Sequence, residues 1–191
     1  MKRTLPNAGR SSVASLQIAN QDVCIIVRTM TFSMMEKVRW LILGDYRKSK
    51  EPTPLPRCVQ DLLEDESVFK VGVEIKEDAR RLYRDFGVRC KSVVDLKSLY
   101  TRAYGSGSQS NRSKMVGDGI GLHALSKLCL GVTLEKNHSL RCSDWSAPVL
   151  SIPQLEYAAK DAWVAPRIAA TLLDKIVGQD AGDRQERYPC C

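Results

Sequence analysis

Apolar and polar positions alternate over 12–18, where Val13, Ala14, Leu16 and Ile18 are small or apolar and Ser15 and Gln17 fall between them. Asn20-Gln21-Asp22 is turn-forming, and Val23 to Arg28 is apolar and β-branched, so the pattern predicts a β-hairpin. Met34, Met35, Val38, Leu41 and Ile42 recur at helical spacing and predict a helix over 32–43. Arg47 to Pro56 holds Pro52, Pro54 and Pro56 and predicts a surface loop. A short helix is expected over 58–63 and a buried strand over Ser67 to Val73. Ala79, Leu82, Tyr83 and Phe86 then mark a helix over 77–86 that Gly87 ends.

A short strand over 92–96 and a helix over 96–104 follow. Residues 105–121, rich in Gly, Ser and Asn, predict a mobile loop. Leu122, Leu125, Leu128 and Cys129 mark a helix that stops at Gly131. The longest helix is expected over 151–177, opened by a Ser151/Gln154 capping box with Pro153 in the tolerant first turn. Its buried stripe is expected to be Leu155, Ala158, Ala159, Ala162, Ile168, Ala169, Leu172 and Leu173. The pattern divides the chain into an unstructured start (1–11), one domain (12–177) and a polar tail (178–191). Early strands followed by alternating helices and strands indicate an α/β domain with a mixed sheet.

Composition narrows the class further. The chain has 191 residues, 43% hydrophobic and 27% charged, close to globular averages, which argues against wholesale disorder, collagen and coiled coil. No apolar run reaches the roughly 18 residues of a membrane span, and the start has no secretory h-region. The seven cysteines form no CxxC pair, and a reducing intracellular compartment suits them. The closing Cys190-Cys191 pair has no other lipidation context and is taken as a chance ending. The formal charge of +7 suits a phosphate-bearing partner without requiring one.

Candidate chemistry begins on the last helix, where Tyr157 and Asp161 stand four apart and share a face. Asp78 falls just past the strand Lys70-Val71-Gly72-Val73, at the start of the next helix. A carboxylate there caps the helix or binds a metal, and the two roles compete for the same oxygens. Sites in open α/β sheets lie at the carboxyl ends of strands. His123 and His138 lie in different segments without cysteines at zinc-ligand spacing, so neither a histidine metal site nor a Ser-His-Asp triad is expected.

The order of segments carries a resemblance. Leu16-Gln17-Ile18-Ala19, then Lys70-Val71-Gly72-Val73 with Asp78, then Val94-Asp95-Leu96, then Gly121-Leu122 with Leu125, then Arg141-Cys142-Ser143-Asp144-Trp145, then Gln154 with Tyr157-Ala158-Ala159-Lys160-Asp161-Ala162 resembles the DEDDy 3′-5′ exonuclease family. The resemblance implies a ribonuclease H-like mixed sheet flanked by helices. It also implies carboxylates holding two divalent cations, Mg²⁺ or Mn²⁺, that clamp an in-line phosphoryl displacement at nucleic-acid 3′ ends. By that resemblance Asp78 and Asp161 match metal ligands and Tyr157 matches the water-positioning tyrosine. Arg112, Lys114 and Arg141 are expected to grip phosphates of DNA or RNA. The family context points to DNA repair and to the nucleus or mitochondrion.

One motif is missing. The family opens on an Asp-x-Glu strand, whereas Met1 to Ser11 contain neither Asp nor Glu. The chain is therefore expected to lack the first, central strand and two of the family's four carboxylates, and its nuclease activity to be impaired. Two other functions compete: a non-catalytic nucleic-acid-binding module gripping phosphates through the basic loop, and a scaffold anchored on Trp40, Trp145 and Trp163. Apolar neighbours place the latter two tryptophans in the core.

Overall fold

The computed structural model describes residues 13–29, 55–105 and 120–187. The helix expected over 32–43, Trp40, and the basic pair Arg112 and Lys114 lie outside the described residues.

The chain opens with a hairpin. Strands β1 (Ser15–Ala19) and β2 (Cys24–Arg28) pair antiparallel, from Ser15 opposite Arg28 to Ala19 opposite Cys24. The connection is an Asx turn: the Asn20 side-chain oxygen accepts from the backbone N–H groups of Asp22 (2.8 Å) and Val23 (2.7 Å). Helix α1 (Arg57–Glu64) leads to strand β3 (Lys70–Gly72), helix α2 (Ile75–Phe86) and strand β4 (Val93–Asp95). β3 and β4 pair in parallel, so β3–α2–β4 is a strand–helix–strand crossover.

Helix α3 (Leu96–Tyr104) follows directly, its first turn capped by the Asp95 carboxylate accepting from the Lys97 amide at 2.9 Å. Helix α4 (Leu122–Leu130) ends at Gly131, whose φ of 69° is the left-handed conformation that glycine adopts without a Cβ penalty. A short helix α5 (His138–Arg141) and the long α6 (Ile152–Arg187) complete the described chain.

Two cores hold these elements. Leu96, Tyr100, Leu125, Val164, Ile168 and Leu172 join α3, α4 and α6 in the larger one. Leu55, Leu63, Leu82 and Val88 form the smaller, with Leu16 of β1 packed against it. Each fully buried aliphatic side chain contributes about 1.5–3 kcal/mol. The mixed α/β architecture is as expected, but its strands form two ribbons, β1–β2 and β3–β4, instead of one continuous sheet among the described residues.

Three elements and two tryptophans differ from the sequence pattern. β3 begins at Lys70 rather than Ser67, because Asp65 captures the amide (2.8 Å) and hydroxyl (2.7 Å) of Ser67 in a turn. α2 starts at Ile75, two residues before the periodic stretch. α6 runs on past Val177 to Arg187, and Gln179 ties it to α3 by donating to the Ala103 carbonyl at 3.0 Å. Neither Trp145 nor Trp163 is buried: Trp145 is half-buried, and Trp163 is 39% exposed with the Arg167 guanidinium 3.6 Å above its ring. A cation on the indole face satisfies that face at the surface, so core packing is not needed.

Candidate active site

A cleft of about 1080 Å³ runs between the two ribbons, with β1 along one side, β3 along the other and α6 beneath. Asp78, Tyr157 and Asp161 all line it.

Asp78 arrives from the β3–α2 junction. Gly72 ends β3 so close to Ile75 that an added Cβ would lie 3.3 Å from the Ile75 Cβ. The chain then turns through Glu74, which holds a left-handed φ of 56° and precedes the first residue of α2. Non-glycine residues seldom adopt that conformation, and here it folds the helix start tightly over the carboxyl end of the parallel pair. Glu74 is held from outside by Lys97, whose ammonium lies 2.8 Å from its carboxylate. Asp78 sits within the first turn of α2, so capping the helix is not its role. Burial pushes its carboxyl above the ordinary aspartate range; the Arg81 cation opposes this, and the charges of Glu77 and Glu74 reinforce it.

Tyr157 and Asp161 arrive from α6. The Ser151/Gln154 capping box forms as the sequence predicts: the Gln154 oxygen accepts from the Ser151 amide (2.9 Å), and the Ser151 hydroxyl accepts from the Gln154 amide (3.4 Å). Ala158 is buried one residue past Tyr157, and Ala158, Ala162 and Ala165 lie on the same cleft wall. Pro166 also lines the cleft and has no N–H to return to the Ala162 carbonyl.

Burial pushes the Tyr157 phenol up, and the negative charge of Asp161 pushes it further, while the Arg141 cation pulls it back. Burial likewise raises the Asp161 carboxyl, and its interaction with the Tyr157 hydroxyl opposes the rise. The cleft therefore holds two carboxyl groups that burial makes harder to ionise and a phenol that stays protonated at neutral pH.

Arg141 lies at the end of α5 on the rim of the same cleft. Trp145, assigned to the core on sequence grounds, also lines it, its ring centroid 6.4 Å from that of Tyr157. Nothing in the sequence beyond its place four residues after Arg141 marks Trp145 for the cleft. Among the described residues no group of three or more His, Cys, Asp or Glu side chains is placed to hold a metal.

The chain is similar to known exonucleases. Over 114 residues the chain is 42% identical to exonuclease 3′-5′ domain-containing protein 2 of Drosophila melanogaster, covering 60% of this chain and 18% of that protein. It is 36% identical over 108 residues to the bifunctional 3′-5′ exonuclease/ATP-dependent helicase WRN of Mus musculus, covering 56% of this chain and 7% of that protein. The chain thus spans under a fifth of the length of these relatives. Brucella melitensis NrnC bound to pGG matches the fold with a TM-score of 0.61 at 23% identity, over 92% of this chain and 70% of that one, a likeness of fold alone. The family model described as 3′-5′ exonuclease matches residues 2–177 of the 191, and this chain belongs to that family.

Proposed function

We propose that the cleft removes nucleotides from the 3′ ends of DNA or RNA by phosphodiester hydrolysis, with Asp78 and Asp161 as cation ligands and Tyr157 as the group that orients the attacking water. The single observation that supports this most is that α2 and α6, far apart in sequence, set those three side chains along the lining of one cleft.

A divalent cation, Mg²⁺ or Mn²⁺, fits the donor chemistry in part. Hard cations take carboxylate oxygens, and a cation beside Asp78 and Asp161 would offset the burial that holds both carboxyls up. A pair of cations does not fit the described residues, which supply these carboxylates and no cluster of three or more metal-ligating groups. Bound there, a cation supplies positive charge that acidifies water and stabilises a phosphoryl group under attack.

The rest falls to this chain's own side chains. Tyr157 keeps its proton, so it donates or accepts a hydrogen bond to orient water and does not serve as the base. Asp161 restrains the phenol from one turn along the helix. Arg141, on the rim, grips a phosphate of the incoming strand. With so few carboxylates the cation is held loosely, and turnover by this chain is slow.

The same scarcity favours a second reading, in which the cleft binds strand ends without cutting them. One experiment separates the two: 5′-labelled single-stranded DNA and RNA incubated with the full chain and Mn²⁺. Slow stepwise shortening that disappears in Asp161→Asn and Asp78→Asn supports the exonuclease reading. Binding without any shortening supports the module. Fast degradation that Asp161→Asn abolishes keeps the nuclease and overturns the impairment. Shortening that survives both substitutions overturns the site.

A further inference from the structure

The end of α5 and the segment that follows it bring a guanidinium and an aromatic ring to the cleft that Tyr157 lines. We propose that Trp145 and Arg141 form the subsite for the terminal nucleotide, with its base stacked on the indole and its phosphate paired with the guanidinium, and that Gln154 is the positioning residue that holds them there. The proposal rests on the exonuclease reading and names how that cleft takes its substrate.

The ring is fixed and its face is available. The Trp145 indole N–H donates to the Arg141 carbonyl at 3.2 Å, which uses its only polar atom and ties the ring to the turn that carries Arg141. The ring is half-buried, lines the cleft and stands at 50° to Tyr157 with centroids 6.4 Å apart. Two tilted aromatic rings make a corner, and a flat base set against the indole meets the phenol along its edge. Trp163, in contrast, already carries a cation on its face.

Arg141 is exposed and pairs with no carboxylate among the described residues, while its charge reaches the Tyr157 phenol. A guanidinium without a carboxylate partner, beside a π-face, suits a nucleotide better than it suits a peptide, because it matches a phosphate in geometry and charge.

The turn that carries the pair is bound at each step. Asn137 caps α5 by accepting from the Leu140 amide at 3.1 Å, and the Ser143 hydroxyl donates to the Leu140 carbonyl at 2.6 Å. Gln154 then reaches across from α6. Only 7% exposed, it donates to the Ser143 hydroxyl (2.9 Å) and the Asp144 carbonyl (3.1 Å), while its oxygen accepts from the amide (2.9 Å) and hydroxyl (3.1 Å) of Ser151. Both halves of the amide are engaged, so only a glutamine fills the position without leaving a buried polar atom unpaired. On the far side the Arg28 guanidinium donates to the Ala147 carbonyl and anchors the segment to the hairpin. One buried amide therefore joins the helix that carries Tyr157 and Asp161 to the turn that carries Trp145 and Arg141.

Stacking on a π-face does not read base identity, so the subsite should accept all bases. The test uses the full chain, 5′-fluorescein-labelled oligodeoxynucleotides and Ca²⁺ in place of Mn²⁺, with binding followed by anisotropy. Trp145→Ala should weaken binding about tenfold, Trp145→Phe should restore most of it, and oligonucleotides with different 3′ bases should bind within about threefold of one another. Arg141→Ala should weaken binding and flatten its salt dependence. Gln154→Leu should weaken binding with Trp145 and Arg141 both intact.

A second measurement needs no variant: an oligonucleotide ending in 5-iododeoxyuridine, irradiated on the wild-type chain, should cross-link to the peptide containing Trp145. Tight binding that Trp145→Ala leaves unchanged, or a cross-link confined to other peptides, overturns the platform and leaves the exonuclease reading standing. Failure of the wild-type chain to bind any oligonucleotide overturns both.

Discussion

The Tyr157 hydroxyl faces the Asp161 carboxylate one turn further along α6, and each perturbs the other's proton: the carboxylate's charge helps hold the phenol up, while the phenol restrains the rise of the carboxyl. The pair is therefore a small electrostatic unit whose state depends on whether a cation joins it.

That dependence has a measurable sign. Asp161 and Asp78 both have folded-state pKa values raised above the unfolded ones. Their contribution to stability is complete below the unfolded aspartate pKa, about 3.9, and is lost as pH rises through their folded values. In the metal-free chain, Asp161→Asn should raise Tm relative to wild type at pH 7 and change it little at pH 4. Adding Mn²⁺ at pH 7 should raise the Tm of wild type and leave that of the Asp161→Asn chain nearly fixed. A wild-type Tm indifferent to Mn²⁺ would remove the case for cation binding at this pair.

Asp85 makes the opposite prediction. Its carboxylate accepts from the Val13 amide at 2.8 Å, which fastens the entry of β1 to α2, and the bond from the neighbouring Arg84 guanidinium, helped by that amide, pulls its carboxyl below the ordinary range. Here the folded pKa is depressed, so the stabilisation is present above the unfolded value and is lost as pH falls through the folded one. Asp85→Asn should cost about 1–3 kcal/mol at pH 7 in denaturant unfolding, and the difference should vanish in acid. Equal losses at both pH values would mean that the bond, and not the charge, carries the effect.

Local signals were legible in the sequence, and contacts between distant segments were not. The hairpin, α3, α4 and the capping box follow from alternation, helical spacing and single capping residues, each a property of neighbours in the chain. That Asp78 and Asp161 line one cleft was an expectation from the order of motifs, and periodicity alone says nothing of it. Gln154 shows the limit most clearly. Its cap on Ser151 follows from spacing, whereas its bonds to Ser143 and Asp144 depend on how the α5–α6 segment folds back. The exposure of Trp163 was missed for a different reason: the cation that covers it, Arg167, is only one turn away, but apolar neighbours in the chain, and not helical spacing, set the expectation.

The larger core sets the stability that these sites draw on. Leu172 is fully buried between α6 and its neighbours, whereas Leu155 and Leu173, both expected in the buried stripe, are 38% and 48% exposed because they lie off the face that packs on α3 and α4. Leu172→Ala should lose about 2–5 kcal/mol, enough to leave a domain of ordinary stability partly unfolded at physiological temperature. Leu173→Ala should stay within about 0.5 kcal/mol of wild type. Chemical denaturation of the two variants side by side checks both, and equal losses would place the helix in the wrong rotation.

The close approach of Gly72 to Ile75 offers a way to move Asp78 without touching it. A Cβ at position 72 would lie 3.3 Å from both the Cβ and the Cδ1 of Ile75, so the helix start or the isoleucine must give by a few tenths of an ångström. Because α2 begins at Ile75, displacement there carries Asp78 with it. Gly72→Ala should lose about 1 kcal/mol of stability and weaken the Mn²⁺-induced rise in Tm. Ile75→Val removes the Cδ1 that the new methyl meets, so the double variant should recover part of both losses, giving a coupling of about 0.5 kcal/mol or more in the cycle. Strictly additive losses would show that the two side chains do not compete for the same space, and that the turn through Glu74 sets the position of Asp78 by itself.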